Sequence, residues 1–262
     1  MEGGYQSLDI LLRIFLLDCY INLAGWIVSA IAKTHKTYDL VGSIAYLTCC
    51  ALSLYNSDLT PMNIVQSTCI MLWAFRLGSY LFYRAIKRGD ARMEKYDNAP
   101  FAFLVPFLLQ IMWVFVMSCP TYLVNRTAQP ELTGWAYAGW AIFLIGFIFE
   151  AVSDLQKARF LNDETKRGQF IKTGLWSISR HPNYFGEVLL WTGLYISAAG
   201  SFTFWPEFLS GLSILFIYGL LRFVSGIPML EENGKRKWGD TLEYQQYCDN
   251  VPVFVPFVPI YK

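Results

Sequence analysis

The segment Gly174-Leu175-Trp176-Ser177-Ile178-Ser179-Arg180-His181-Pro182-Asn183-Tyr184-Phe185-Gly186-Glu187 gathers an unusual density of reactive and ligand-binding side chains. Pro182 suits a first helical turn, where its missing N–H leaves no bond unmade. A helix starting there presents bare backbone N–H groups and the positive end of its dipole, and together these bind anions. Arg180 and His181 stand beside that end. Asn183, Glu187 and Trp191 follow at i, i+4 and i+8, so a polar stripe continues along one face. Such an arrangement would neutralise a phosphate at the helix mouth and offer amide and carboxylate groups to hydroxyls or carboxamides deeper in.

Two other groups could join it. Glu150, Asp154 and Lys157 are spaced i, i+4 and i+7 on one helical face, either as an ion-pair ladder that fixes packing or as the wall of a polar cavity. Arg222 precedes Ser225-Gly226-Ile227-Pro228-Met229-Leu230-Glu231-Glu232, then Trp238-Gly239-Asp240, Tyr244 and Tyr247. The closing run from Val251 to Pro259 is broken by prolines, which forbid a regular helix and predict an interfacial cap. An arginine, a carboxylate pair and two tyrosines could complete a cofactor pocket. No metal site is expected: the six cysteines form no CxxC pair, and His35 and His181 are the two histidines.

The elements that must hold these groups are membrane spans. Hydrophobic residues make up 55% of the 262-residue chain and charged residues 16%, against a usual charged share of about 25%. Too few charges remain to cover a water-soluble surface, so the composition predicts an integral membrane protein and excludes disorder. A net charge of +1 gives no field for nucleic acid. Seven apolar stretches approach the span length of about 20 residues: 8–32, 39–55, 63–83, 100–123, 134–155, 183–200 and 203–224. The expected fold is all-α, a polytopic bundle of about seven transmembrane helices in a single domain, 1–262, with a cofactor end at 150–262. No cleavable signal is expected, because the first apolar run is long and lacks a basic leader.

Charge placement agrees with seven spans. Lys33 and Lys36, then Arg84, Lys87, Arg88, Arg92 and Lys95, lie in two loops of one face. Lys157, Arg159, Lys166, Arg167, Lys172 and Arg180, and the tail's Arg222, Lys235, Arg236, Lys237 and Lys262, complete 18 of the 21 basic residues on that same face. Arg13 and Arg76 fall inside spans, and Arg126 lies in an opposite loop. The basic face should be cytosolic, or matrix-facing in a mitochondrial inner membrane.

Together, GLWSISRHPNYFGE, SGIPMLEE, WGD, Tyr244-x-x-Tyr247 and the closing P-x-F-x-P resemble the DUF1295 family, a branch of the steroid 5-alpha-reductase-like membrane proteins. The stretch Arg76-Leu77-Gly78-Ser79-Tyr80-Leu81 resembles that family's R-L-G-x-Y-L, and Asp39 sits where the family usually has an acidic residue. The likeness covers most of residues 35–260. It implies a seven-helix bundle in the endoplasmic reticulum or mitochondrial inner membrane that holds NADPH and reduces a carbon–carbon double bond of a lipid or sterol. Asp154, Asn183, Glu187 and Arg222 match cofactor-binding positions, with Arg159, Arg180 and His181 beside them. Glu150 stands where the steroid reductases use asparagine, and Arg180-His181-Pro182 replaces a shorter neutral stretch.

On the catalytic side the resemblance points to Asp39 and Trp73, with departures, and Tyr80 or Tyr83 could substitute for the missing donor only if the span rotates. Asp39 has no adjacent glutamine, and Trp73 occupies the position of the reductases' tyrosine. An indole N–H donates a hydrogen bond but is no proton source at neutral pH. Negligible turnover of 3-oxo-4-ene steroids is therefore expected. RHPNYFGE with Glu231-Glu232 also resembles isoprenylcysteine carboxyl methyltransferases, which use S-adenosylmethionine. The incomplete catalytic set fits a third reading, a reductase-fold accessory subunit of a larger membrane assembly.

Overall fold

A computed structural model describes residues 2–90 and 93–258. Arg92, Pro259 and Lys262, which entered the charge and motif arguments, lie outside the described residues. Among the described residues every regular element is helical: α1 (Glu2–Ala32), α2 (Tyr38–Tyr55), α3 (Pro61–Arg88), α4 (Pro100–Arg126), α5 (Gly134–Asn162), α6 (Pro182–Ala199), α7 (Leu212–Gly219), α8 (Ile227–Trp238) and α9 (Leu242–Asn250). The protein is an all-α, polytopic, membrane-spanning helical bundle. Five described runs are long and apolar enough to cross a bilayer: Asp9–Ala32, Tyr38–Tyr55, Pro100–Arg126, Gly134–Asn162 and Trp205–Trp238.

The two expected spans absent from that set, 63–83 and 183–200, coincide with α3 and α6. Both helices form, but their apolar character is diluted by inward polar groups. Asn63, Gln66 and Ser67 are buried in α3, and Glu187 is buried in α6. The expected seventh span, 203–224, is not one regular helix. It runs from a 3-10 turn (Trp205–Gly211) through α7 into a π-helical turn (Leu220–Val224) that carries Arg222. A π turn inserts one residue per turn and re-aims the side chains around it.

Contacts divide the chain into two units, one of residues 1–137 and 194–213, the other of 138–193 and 214–262. In the first unit neutral polar groups tie α2, α3, α4 and the end of α6 together. Gln66 Nε2 donates to the Leu194 carbonyl at 2.8 Å and to Thr121 Oγ1 at 3.2 Å, while Ser197 Oγ donates to Gln66 Oε1 at 2.7 Å. Asn125 Nδ2 donates to Ser53 Oγ and Ser67 Oγ, both at 3.0 Å, and Asn63 Nδ2 to the Val124 carbonyl at 3.2 Å. Thr60 and Asn63 form a capping box that opens α3, with Pro61 in its first turn.

The second unit packs α5 on α6 backbone to backbone. A Cβ on Gly186 would stand 2.6 Å from the Glu150 amide nitrogen, one on Gly146 2.5 Å from that of Leu190, and one on Gly193 2.4 Å from that of Phe143. Small residues at such crossings let helices approach within van der Waals reach, the usual device where lipid removes the hydrophobic drive.

Candidate functional site

Residues of the second unit converge on the start of α6. The helix begins at Pro182, as the proline predicted, and the preceding turn is fastened on both sides. Trp176 Nε1 donates to the Ser153 carbonyl at 3.1 Å and the Leu175 amide to Gln156 Oε1 at 2.9 Å, which anchors residues 174–177 to α5. Gly174 has φ +65°, and a Cβ there would lie 2.6 Å from the Gln156 side chain. From the tail, the Pro252 carbonyl accepts from the Arg180 amide at 2.9 Å and the Phe254 carbonyl accepts from Ser179 Oγ at 2.8 Å. The proline-broken run thus covers this turn, as expected for a cap.

Within that frame Glu231, from α8, receives two cationic or donor groups. Arg180 Nη2 lies 3.1 Å from Glu231 Oε2, and His181 Nε2 lies 2.7 Å from Glu231 Oε1. His181 is 4% exposed. Burial pushes its imidazole below the ordinary histidine range, against the opposing pull of Glu231. Neutral His181 then donates from Nε2 and keeps Nδ1 as a bare acceptor. Arg180 Nε and His181 Nδ1 are both buried without a hydrogen-bond partner among the described residues. Arg222 on the π turn lies close enough to act on the charge of Glu231, and its guanidinium sits 5.4 Å from the Phe223 ring centre.

One helical turn on, Asn183 Nδ2 donates to Asp154 Oδ1 at 3.3 Å. Trp191 Nε1 donates to Glu187 Oε1 at 3.0 Å, so the polar stripe of α6 closes on itself. Asp154, Glu187 and Glu150 are buried, while Lys157 caps the α5 face with its ammonium 4.8 Å from the Trp176 ring centre. Arg159 is exposed on the last turn of α5 and is not drawn into the cluster. Tyr247 donates to the Trp176 carbonyl at 2.7 Å, and burial pushes its phenol well up. It serves to hold the loop rather than to lend a proton.

The first unit holds a recess with a cavity volume of about 20 Å³. Asp39, Trp73, Gln110, Trp113, Tyr46 and Gly78 are in its lining. Tyr46, Trp73 and Trp113 meet edge to face, with ring centres 4.9, 5.6 and 6.2 Å apart. The expected pair Asp39 and Trp73 is therefore brought together. Tyr80 does not line the recess, and Tyr83 is 59% exposed, so neither phenol stands in for the absent tyrosine there.

Two features escaped the sequence reading as site residues, and a third, Glu231, was read only as part of a carboxylate pair. Glu231 was visible in the Leu-Glu-Glu run, but its role as shared partner of Arg180 and His181 depends on where α8 returns. Gln110 and Trp113 lie in an expected span, and only helix packing turns them toward the recess. Asp18, fully buried in α1 and bonded through Oδ1 to Asn22 Nδ2 at 2.7 Å, is an ionisable group inside an apolar run and was legible as such. No group of three or more metal-ligating side chains occurs among the described residues.

An all-helical membrane bundle with a cluster of polar side chains at one helix mouth defines the broad class. Residues 25–251 match the family described as "Protein of unknown function (DUF1295)", and the chain belongs to that family. It is 27% identical over 215 residues to an uncharacterized protein of Schizosaccharomyces pombe, covering 71% of this chain and 60% of that one. It is 28% identical over 144 residues to a "Probable 7-dehydrocholesterol reductase" of Acanthamoeba polyphaga mimivirus, covering 55% of this chain and 28% of the relative. The matched regions thus span less than two thirds of either relative. No solved structure matches.

Proposed function

We propose that the chain is a membrane-embedded, NADPH-dependent reductase of a carbon–carbon double bond in a lipid or sterol, with residues 1–262 acting as one catalytic domain of seven spans. The observation that carries this reading is the donor and acceptor set at the start of α6. Arg180 Nε and His181 Nδ1 are buried without partners among the described residues, directly before a helix N-terminus. Cations and helix amides suit a pyrophosphate, and a bare imidazole nitrogen suits a ribose hydroxyl or carboxamide N–H. Arg180 and Arg222 would face phosphate, and Asp154, Asn183 and Glu187 the uncharged groups. NADPH would supply the hydride. The relative named as a 7-dehydrocholesterol reductase supports the same chemistry.

On the substrate side, Trp73 can donate one neutral hydrogen bond to an oxygen that gains negative charge, and Asp39 can donate only when protonated. Removing a good oxyanion donor lowers rates about 10²–10³-fold. Turnover of 3-oxo-4-ene steroids should therefore be negligible, which leaves other lipids as substrates. The endoplasmic reticulum suits a lipid reductase, with the mitochondrial inner membrane as the alternative.

Equilibrium titration of the purified protein with NADPH and with S-adenosylmethionine tests the reading. NADPH should bind, and Asn183→Ala and Arg222→Ala should each weaken it by about 1–3 kcal/mol. Unchanged affinity in both variants overturns the placement, and binding of S-adenosylmethionine instead moves the chain to the methyltransferases. One observation favours a second reading: Glu231 already engages both Arg180 and His181, so the cluster can serve as a self-contained structural network. A non-catalytic accessory subunit would bind neither cofactor and would migrate in native gels with a far larger assembly.

A further inference from the structure

Hydrogen bonds hold several polar groups of the recess in the first unit. Ser43 Oγ donates to the Ala74 carbonyl at 2.7 Å, and Tyr46 Oη donates to the Trp113 carbonyl at 3.3 Å. Gln110 Nε2 donates to the Tyr38 carbonyl at 3.4 Å, which fixes the orientation of the amide, since the reversed form would set two acceptors face to face. Among the described residues, two buried polar atoms of this lining have no hydrogen-bond partner: Gln110 Oε1, an acceptor, and Trp113 Nε1–H, a donor. Both belong to side chains of the recess lining, three residues apart on α4 and so on the same face. Gln110 is 2% exposed, so bulk water does not serve it.

The close packing that creates this pair is specific. A Cβ on Gly42 would stand 2.4 Å from Gln110 Nε2, and one on Gly78 2.2 Å from Ser43 Oγ. Glycine at both positions is what lets α2 receive the Gln110 amide and α3 close over Ser43. Native proteins rarely leave a buried donor and a buried acceptor unmatched without a reason.

We propose that Gln110 and Trp113 form a hydroxyl-reading pair, and that the recess takes the alcohol end of a lipid. A hydroxyl can donate to Gln110 Oε1 and accept from Trp113 Nε1–H through one oxygen. A ketone or an ether accepts only and leaves Gln110 unmet. A carboxylate accepts only and would likewise leave Gln110 unmet, and an ammonium would leave the Trp113 donor unmet. With a cavity volume of about 20 Å³ the recess has room for one water-sized group, so it admits the hydroxyl itself and leaves the rest of the lipid outside. The inference rests on the reading of the first unit as the substrate side, but its test needs no turnover.

Tritiated hexadecanol, hexadecanal and hexadecyl methyl ether, and cholesterol, cholestenone and cholesterol methyl ether, would be bound to the full chain in detergent micelles. On at least one scaffold the alcohol should bind roughly tenfold more tightly than its carbonyl and ether analogues. Trp113→Phe, which keeps the ring and removes the donor, and Gln110→Met should each erase most of that preference. Equal binding of alcohol and ether on both scaffolds overturns the proposal, whether or not the variants fold. So does a preference that survives Trp113→Phe. NADPH titration of the same samples separates the two readings. Alcohol preference without nucleotide binding sinks the reductase and leaves the hydroxyl pair standing, and nucleotide binding without alcohol preference does the reverse.

Discussion

The two units solve the same problem, holding polar groups inside a membrane protein, by different means. In the first, amides and hydroxyls satisfy one another: Gln66, Asn63, Asn125 and Ser197 bridge helices with neutral hydrogen bonds. In the second, α5 and α6 touch through glycine backbones, and Arg180, His181 and Glu231 gather charge at a helix mouth. Neutral networks suit a unit that shapes a pocket for apolar ligands. Concentrated charge beside a helix N-terminus suits one that meets a phosphate. The difference also predicts how each unit fails.

Backbone contact is the least forgiving of these devices. Gly186→Leu places a side chain where the Glu150 amide nitrogen would stand 2.6 Å from its Cβ, and two helix backbones cannot yield as a flexible side chain can. The cost should reach about 3 kcal/mol or more, the upper end of overpacking. It should also carry Asn183 away from Asp154 and abolish nucleotide binding. Gly219 is the control in the same unit: nothing lies within 4 Å of its Cβ position, so Gly219→Ala should leave thermal stability in detergent unchanged or slightly raised. If Gly186→Leu unfolds at the wild-type temperature, the α5–α6 contact does not position the site.

In the first unit the corresponding break is Gln66→Leu. It removes two donated bonds and one accepted bond at a residue with no exposed surface. Interhelical hydrogen bonds in membrane proteins average about 0.6 kcal/mol and reach about 1.7, so the loss should total roughly 2–3 kcal/mol. Nucleotide affinity, a property assigned to the other unit, should stay within about twofold once the protein is folded. A large drop in affinity with little loss of stability would show that Gln66 belongs to the cofactor side.

These contrasts were unevenly legible in the sequence. The class, the helices and the start of α6 followed from composition, apolar run length and Pro182, all of them local properties. The pairing of Asn183 with Asp154 was half legible, because spacing places each on its own helix face but not opposite the other. Glu231 as partner of Arg180 and His181 was not, since it joins residues fifty positions apart through the path of α8. The break of the last long span into 3-10, α and π turns was hidden for another reason. Hydropathy measures how apolar a stretch is, and Leu220–Val224, Arg222 included, scores the same whether its hydrogen bonds run to i+4 or i+5.

The smallest expected effect concerns protons, and it separates the units most cleanly. Burial lowers the folded-state pKa of His181 below its ordinary value of about 6.5. As pH falls through that value the unfolded chain takes up a proton first, while folded His181 stays neutral with Nε2 donating to Glu231. Its contribution to stability is therefore complete above about pH 6.5 and declines as pH drops toward the lowered folded value. Wild-type melting temperature should fall between pH 7.5 and 5.5, and His181→Gln should fall less. Glu231→Gln should steepen the loss, because removing the carboxylate removes the one pull that keeps the imidazole from sinking further. Gln66→Leu tests the other half of the contrast: neutral amides and hydroxyls do not titrate in this window, so its penalty should be the same at both pH values. Parallel falls in wild type and His181→Gln would mean that the imidazole is already protonated beside Glu231, and that the cluster carries one more positive charge at the helix mouth than the neutral assignment gives it.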